Sequence, residues 1–396
     1  IDMKITSIDV FLVTIGQPSV PGSPWNPVVV RINTEDGISG YGEVGLAYGD
    51  TKESAVGMCR DFAKLIIGMD AMNNEAIWAR LHNTFWGLGG GPVVYGAMSA
   101  IDIALWDIKG KAFNTPVYNL LGGKTNQKLR AYASQIQFDW GKVAKPLIYP
   151  EEYGEACIKA KEDGYDCVKV DPLCFNMQGK YKGWPCSGIL QQNQLKIAYE
   201  RVKAIRDAGG PDMDIIIELH SLTDANSAVQ LARAVEELGI YYYEEPTMPM
   251  NVGNMKEIAQ RINIPVASGE RIYTRWGYRP FFEEHALHVI QPDLGNMGGF
   301  TEGKKVCDMA RVYDVGVQVH VCGGPQATAA ALQLEAVIPN FLIHEHHQAA
   351  LLEANILTGT HDYQPVNGYF TVPDLPGLGQ ELSQKAMDTA VKITVK

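Results

Sequence analysis

From Leu129 onward, short apolar runs alternate with stretches of helical period. The runs are LRAYAS (129–134), YDCVKVD (165–171), DIIIELH (214–220), IYYYEE (240–245), IPVASGE (264–270), HVIQPD (288–293), VGVQVH (315–320) and FLIHEH (341–346). Runs of this length read as parallel strands buried on both faces. Between them lie EEYGEACIKAKED, NQLKIAYERVKAIRDA, NSAVQLARAVEELG, NMKEIAQRI and TEGKKVCDMARVYD, whose apolar positions repeat as on one helix face. This alternation predicts a (β/α)8-type barrel over residues 129–368. A doubly wound open sheet is the rival, but it expects a glycine-rich first turn, and no GxGxxG follows the first strand. GLGGGP (87–92) sits between helical stretches and reads as a flexible connection.

The first 128 residues are patterned differently. MKITSIDVFLVTI alternates as a strand, and GQPSVPGSPWNP (16–27) is a loop. PVVVRINTEDGISGYGEV predicts a hairpin turning at Glu35-Asp36-Gly37. Residues 50–67 and 74–85 have helical period, with Asp70 or Asn73 as the expected N-cap of the second. In the run Ser99–Lys111, Ile101, Ala104, Leu105 and Ile108 share one helix face. Strands followed by helices predict an α+β domain, and the strand-rich segment 369–396 is expected to return to it.

Composition narrows the function classes. The net charge is −11 without basic blocks, which argues against nucleic acid as the main partner. No apolar run reaches the roughly 18 residues of a membrane span, and no signal-peptide pattern opens the chain. Seven scattered cysteines, none in CxxC spacing, read as reduced thiols of a cytoplasmic protein.

Barrel chemistry sits at the C-terminal ends of the strands. Lys169, Asp171, Glu218, His220, Glu244, Glu245, Glu270, Asp293, His320 and Glu345 fall there. Glu218, Glu244 and Glu270 follow one another at 26-residue spacing. Any one Glu is ordinarily a solvated or ion-paired residue. Three on consecutive strand ends would repel one another, and a divalent cation removes that cost. Oxygen-only ligands select Mg2+, with Mn2+ next. A lone histidine is by default a hydrogen-bonded core residue, but adjacent strand ends allow contact between Asp293 and His320. Such a contact would make His320 a general base. His220 shares a face with Glu218 and is a general acid or an orienting neighbour. In His344-Glu345-His346-His347 consecutive residues alternate faces, so Glu345 alone is expected inside rather than a four-residue metal site. Pro172–Asn193, far longer than usual between a strand and its helix, is expected to be a lid, with a surface excursion or oligomer contact as the alternative.

These residues resemble the enolase superfamily and, within it, the mandelate racemase subgroup. SAIDIALWDIKGKA and PVYNLLGG resemble the end of that family's capping domain. The three acids match its metal ligands, with Glu244 the matching residue of YYYEEP. IQPDLGNMGG with His320 matches its Asp-His dyad, and Glu218-Leu-His220 resembles the acid-x-His motif of galactonate-dehydratase-like enzymes. The resemblance implies an α+β capping domain on a (β/α)7β modified TIM barrel. It implies an Mg2+-dependent acid-sugar dehydratase yielding a 2-keto-3-deoxy acid, with a small sugar acid as partner, and a homo-oligomer. His320 would take the α-proton and His220 would protonate the leaving hydroxyl. Lys169 and Glu345 would contact the substrate carboxylate, the Lys by charge and the Glu as a proton donor to an enediolate oxygen. Asp171 is a further candidate contact, and Trp25 and Tyr48 are candidates on capping-domain loops. An epimerase, racemase or cycloisomerase on a related acid, or a non-catalytic sugar-acid-binding relative, are the alternatives. The sequence departs from the family in three places. Glu218 replaces an Asp, Asp171 replaces the second Lys of KxK, and residues 172–193 are inserted.

Overall fold

The computed structural model describes residues 2–14, 26–45, 52–84 and 90–396. The 16–25 part of the first loop, residues 87–89 of GLGGGP, Trp25 and Tyr48 lie outside the described residues. Among the described residues there are two sheets, one antiparallel and one mainly parallel.

The antiparallel sheet contains β1 (Ile5–Leu12), β2 (Val28–Thr34) and β3 (Ser39–Glu43). The expected hairpin joins β2 to β3. Gly37 takes a left-handed φ of 78°, and its N–H donates to the Thr34 carbonyl. Helices α1 (Lys52–Ile66) and α3 (Pro92–Ala112) cover this sheet, and α2 (Asn74–Asn83) packs on α3. The α3 face predicted from Ile101, Ala104, Leu105 and Ile108 is buried against it. Each of its Ile and Leu side chains contributes about 1.5–3 kcal/mol of burial. Close seating requires the alternating glycines of GYG: a Cβ on Gly42 would lie 1.9 Å from the Ala100 carbonyl oxygen. Asn73 occupies the N-cap position of α2 but makes no capping bond. Asp70 instead accepts from the N–H groups of Met3 and Met72.

The parallel sheet runs through β4 (Lys128–Ser134), β5 (Cys167–Val170), β6 (Asp214–Glu218), β7 (Tyr242–Glu244), β8 (Val266–Ser268), β9 (Val289–Ile290), β10 (Gly316–Val317) and β11 (His344–His347). β11 pairs with β4, and Val317 bridges in parallel to Phe341, which closes the ring into a barrel. The strands are shorter than the apolar runs, because the residues that turn at the mouth leave ladder geometry. Tyr132, Cys167, Ile216, Tyr242, Ala267, Val289 and Ile343 pack together inside. The outer strand faces pack against the helices in a much larger core.

Two late strands follow. β12 (Tyr369–Thr371) pairs antiparallel with β4 on the barrel, whereas β13 (Val391–Val395) pairs antiparallel with β1. The return expected from Tyr369 therefore divides between both sheets. Buried bonds tie the two parts together: Thr301 N–H donates to Asp102, and Trp78 Nε1–H donates to the Gly298 carbonyl. No helix among the described residues is long and apolar enough to cross a membrane. None of the seven cysteines forms a disulfide.

Candidate active site

The C-terminal ends of the barrel strands carry nearly all the residues singled out from sequence. Glu218 and Glu244 are register partners on β6 and β7, and Glu270 follows β8. All three are buried, and one carboxylate oxygen of each lies within 4.8 Å of the others. Lys169 Nζ, fully buried on β5, sits 3.0 Å from Glu218 Oε2, 2.8 Å from Glu244 Oε1 and 2.7 Å from Glu345 Oε1. Ser134 Oγ–H and Val321 N–H also donate to Glu345. Arg271 pairs with Glu245 and, at 2.7 Å, with Glu270. Glu245 is thus held beside the triad and not within it.

One histidine stands on each side of this cluster. His320 Nδ1 lies 2.7 Å from Asp293 Oδ2, and its Nε2 lies 3.3 Å from Glu270 Oε2. His220 Nδ1 lies 2.7 Å from Asp171 Oδ2, and its Nε2 is 3.9 Å from Glu218 Oε2. His220, Ser221 and Glu245 all take left-handed φ angles between 47° and 56°. Non-glycine residues rarely do so, and such strain concentrates at functional sites. Here it turns the chain at the end of β6 so that His220 stands over Glu218, its N–H donating to Glu218 Oε1.

Charge explains how the groups titrate. Five carboxylates (Glu218, Glu244, Glu245, Glu270, Glu345) face two permanent cations, Lys169 and Arg271. Burial would raise the Glu218 carboxyl, but the charges of His220 and Lys169 hold it well below the usual range. Glu244 is pushed well above it, by burial and then by the charge of Glu218. Burial opposes protonation of His220, yet Glu218 and the bond to Asp171 push it up to about 9. His320 is also raised against burial, by Glu270 and Asp293. Both imidazoles thus take up part of the missing positive charge.

A divalent cation fits this donor set. The three acids supply hard oxygen ligands on one side of the mouth, and Glu244 Oε2 is buried without a hydrogen-bond partner. An orphaned buried carboxylate oxygen is costly unless something positive meets it.

Residues 152–386 match the family described as enolase C-terminal domain-like. Residues 23–122 match the mandelate racemase/muconate lactonizing enzyme N-terminal domain. The chain belongs to the enolase superfamily, in its mandelate racemase subgroup. The fold is accordingly a capping domain on a modified TIM barrel. A D-galactonate dehydratase of Variovorax paradoxus is 30% identical over 90% of this chain and 88% of its own. A D-xylonate dehydratase of Haloferax volcanii is 29% identical over 92% and 85%. A crystal structure of an enolase-superfamily member from Salmonella Typhimurium superposes with a TM-score of 0.96, at 54% identity over the full length of both chains.

Sequence reasoning passed over several groups that surround this superfamily site. Arg271 was hidden because its partner acids lie on two strands. Glu43, from the capping sheet, accepts from the N–H groups of Gly324 and Ala327. Burial and the nearby Asp293 push Glu43 up to about 7, although both N–H bonds work against this. Tyr181, on the long excursion, packs its ring at a tilt against Phe175 and lies within electrostatic reach of Asp171, Cys322 and Arg271. The excursion expected to be a lid is tied to the barrel by hydrogen bonds. The buried Arg201 guanidinium donates to the carbonyls of Ile148, Pro172 and Phe175, and Gly188 N–H donates to Asp224. Glu345 is not alone on the inner face, contrary to expectation: His347, two residues on along β11, shares that face with it.

Proposed function

We propose that this protein is a hydro-lyase for a small polyhydroxy acid, removing water from an aldonate or aldarate to leave a 2-keto-3-deoxy acid. The observation that carries the reading is the pair of oriented imidazoles, His320–Asp293 and His220–Asp171, flanking three buried carboxylates. The dehydratase names of the relatives support it.

Mg2+, or Mn2+, held by Glu218, Glu244 and Glu270 would stabilise the negative charge that grows on the substrate carboxylate as the α-proton leaves. His320 Nε2 takes that proton, while Asp293 holds its Nδ1–H and fixes the ring. Glu270, once its charge is compensated, no longer props up the imidazolium, and His320 is free to act as base. His220, kept protonated by its bond to Asp171, gives a proton to the β-hydroxyl as the C–O bond breaks, releasing water. The electrons of the Cα–H bond form the C=C bond of an enol, which ketonises to the 2-keto acid. Lys169 faces the carboxylate by charge. Glu345 receives three donors, so its proposed part is to position Lys169 rather than to donate a proton.

The test is a panel of aldonates and aldarates incubated with Mg2+ and assayed for 2-keto acid. Formation from at least one acid, abolished by chelation, is the expected result. Deuterium entering the α-position with no keto acid formed would replace dehydration by epimerisation, since His220 could then return a proton to Cα. Binding of an acid with neither outcome would favour the non-catalytic alternative.

A further inference from the structure

We propose that His347 determines substrate specificity in this pocket, its neutral imidazole donating an Nε2–H hydrogen bond to a substrate hydroxyl. The inference rests on the polyhydroxy-acid reading above. β11 lies parallel to β4 with Glu345 opposite Tyr132 and His347 opposite Ser134. His344 and His346 point outward, where they meet Glu335 and Tyr165. Glu345 points inward to Lys169 and Ser134, so His347 enters one layer nearer the open end.

The tautomer follows from the backbone. His347 Nδ1 accepts the Ala349 N–H at 3.0 Å, which caps the short turn Gln348–Leu351. A nitrogen that accepts an N–H carries no proton, so the neutral ring is protonated at Nε2. Nε2 is absent from the buried polar atoms that lack a partner, unlike Nε2 of His344 and His346, and no bond to it is made among the described residues. It therefore opens toward the pocket. Burial pushes the ring down to about 4 against the pull of Glu345, and Lys169, His320 and His220 add to the effect. Those are the charges of the pocket itself. With Nδ1 engaged, the ring can donate but not act as a base, which suits recognition of a hydroxyl rather than proton transfer.

Two substitutions separate this role from turn capping. His347→Asn keeps an acceptor near the Nδ1 position and removes the distal donor. His347→Gln keeps a distal N–H and gives up the cap. The measurements are KM and kcat for the best acid of the panel, and the dissociation constant of the same acid with Mg2+. Loss of one neutral hydrogen bond predicts a KM about three- to tenfold higher for His347→Asn, with kcat nearly unchanged. His347→Gln should remain close to the parent protein. An acid lacking the contacted hydroxyl should bind parent and His347→Asn alike. The reverse pattern, with Asn harmless and Gln damaging, would reduce His347 to a cap and overturn the proposal. If an acid binds without turnover, the dehydratase reading fails alone and the dissociation constants still decide on His347. If no polyhydroxy acid binds, both fall.

Discussion

At the level of single residues, the site is governed by an excess of buried negative charge. Lys169 lies against three carboxylates at once, and both histidines are drawn toward protonation by acids on neighbouring strands. The roles proposed for the histidines can be separated by substitution. His320→Asn should lower kcat by about 10²–10⁴-fold, the usual contribution of a general base. It should also abolish exchange of the α-proton with deuterated solvent. His220→Asn should depress 2-keto acid formation comparably yet leave α-exchange running, because the base is intact. Equal loss of exchange in both variants would contradict the division of labour. Circular dichroism and Mg2+ titration on both proteins guard against a trivial loss of fold or metal.

At the level of elements, β11 shows how much one short strand can carry. Four consecutive polar residues are buried there, each with a different partner. Burial pushes His346 down to about 3 and His347 to about 4. The unfolded chain binds a proton at each site near pH 6.5, whereas the folded chain refuses it until far lower pH. The stability they supply is present above about pH 6.5 and is lost as pH falls toward 4. Each should account for about 2 kcal/mol between pH 7 and pH 5. Urea midpoints at the two pH values should differ accordingly, and His346→Phe should shrink the difference by that amount. The long excursion makes a second case. Arg201→Met strips its anchoring carbonyls of their donor and should cost about 3 kcal/mol. Cleavage within 172–193 by a dilute protease should then accelerate, as read by mass spectrometry. An unchanged rate would mean that the apolar contacts of Cys174 and Phe175 suffice.

For the whole molecule, capping sheet and barrel act together. The last strand returns to β1, and Glu43 reaches from the capping sheet to the turn after His320, near Asp293. A cation bound among acids from three barrel strands should therefore stabilise the folded chain as a unit. At a Mg2+ concentration a hundred times its Kd the gain is about 2.7 kcal/mol, or roughly 3 °C in thermal midpoint. Chelation should reverse it, and Glu270→Gln should abolish most of the shift in a thermal melt. A midpoint indifferent to Mg2+ would argue against a metal at these acids.

The barrel was legible in the sequence because buried parallel strands must be continuously apolar and their helices amphipathic. The acids at a 26-residue spacing were legible because each βα unit repeats at a similar length, so chemistry at strand ends recurs with that period. Most contacts between side chains of different elements were not legible. The pairings of Arg271 with Glu245, of His220 with Asp171 and of Glu43 with the Gly324 turn arise only when strand ends, and the capping sheet and barrel, come together. The outcome for β11 lay between the two. Alternation placed Glu345 inside, but expecting Glu345 alone there neglected that the same alternation puts His347 beside it. Only the tertiary structure, through the Ala349 N–H, decided which ring nitrogen keeps its proton and faces the pocket.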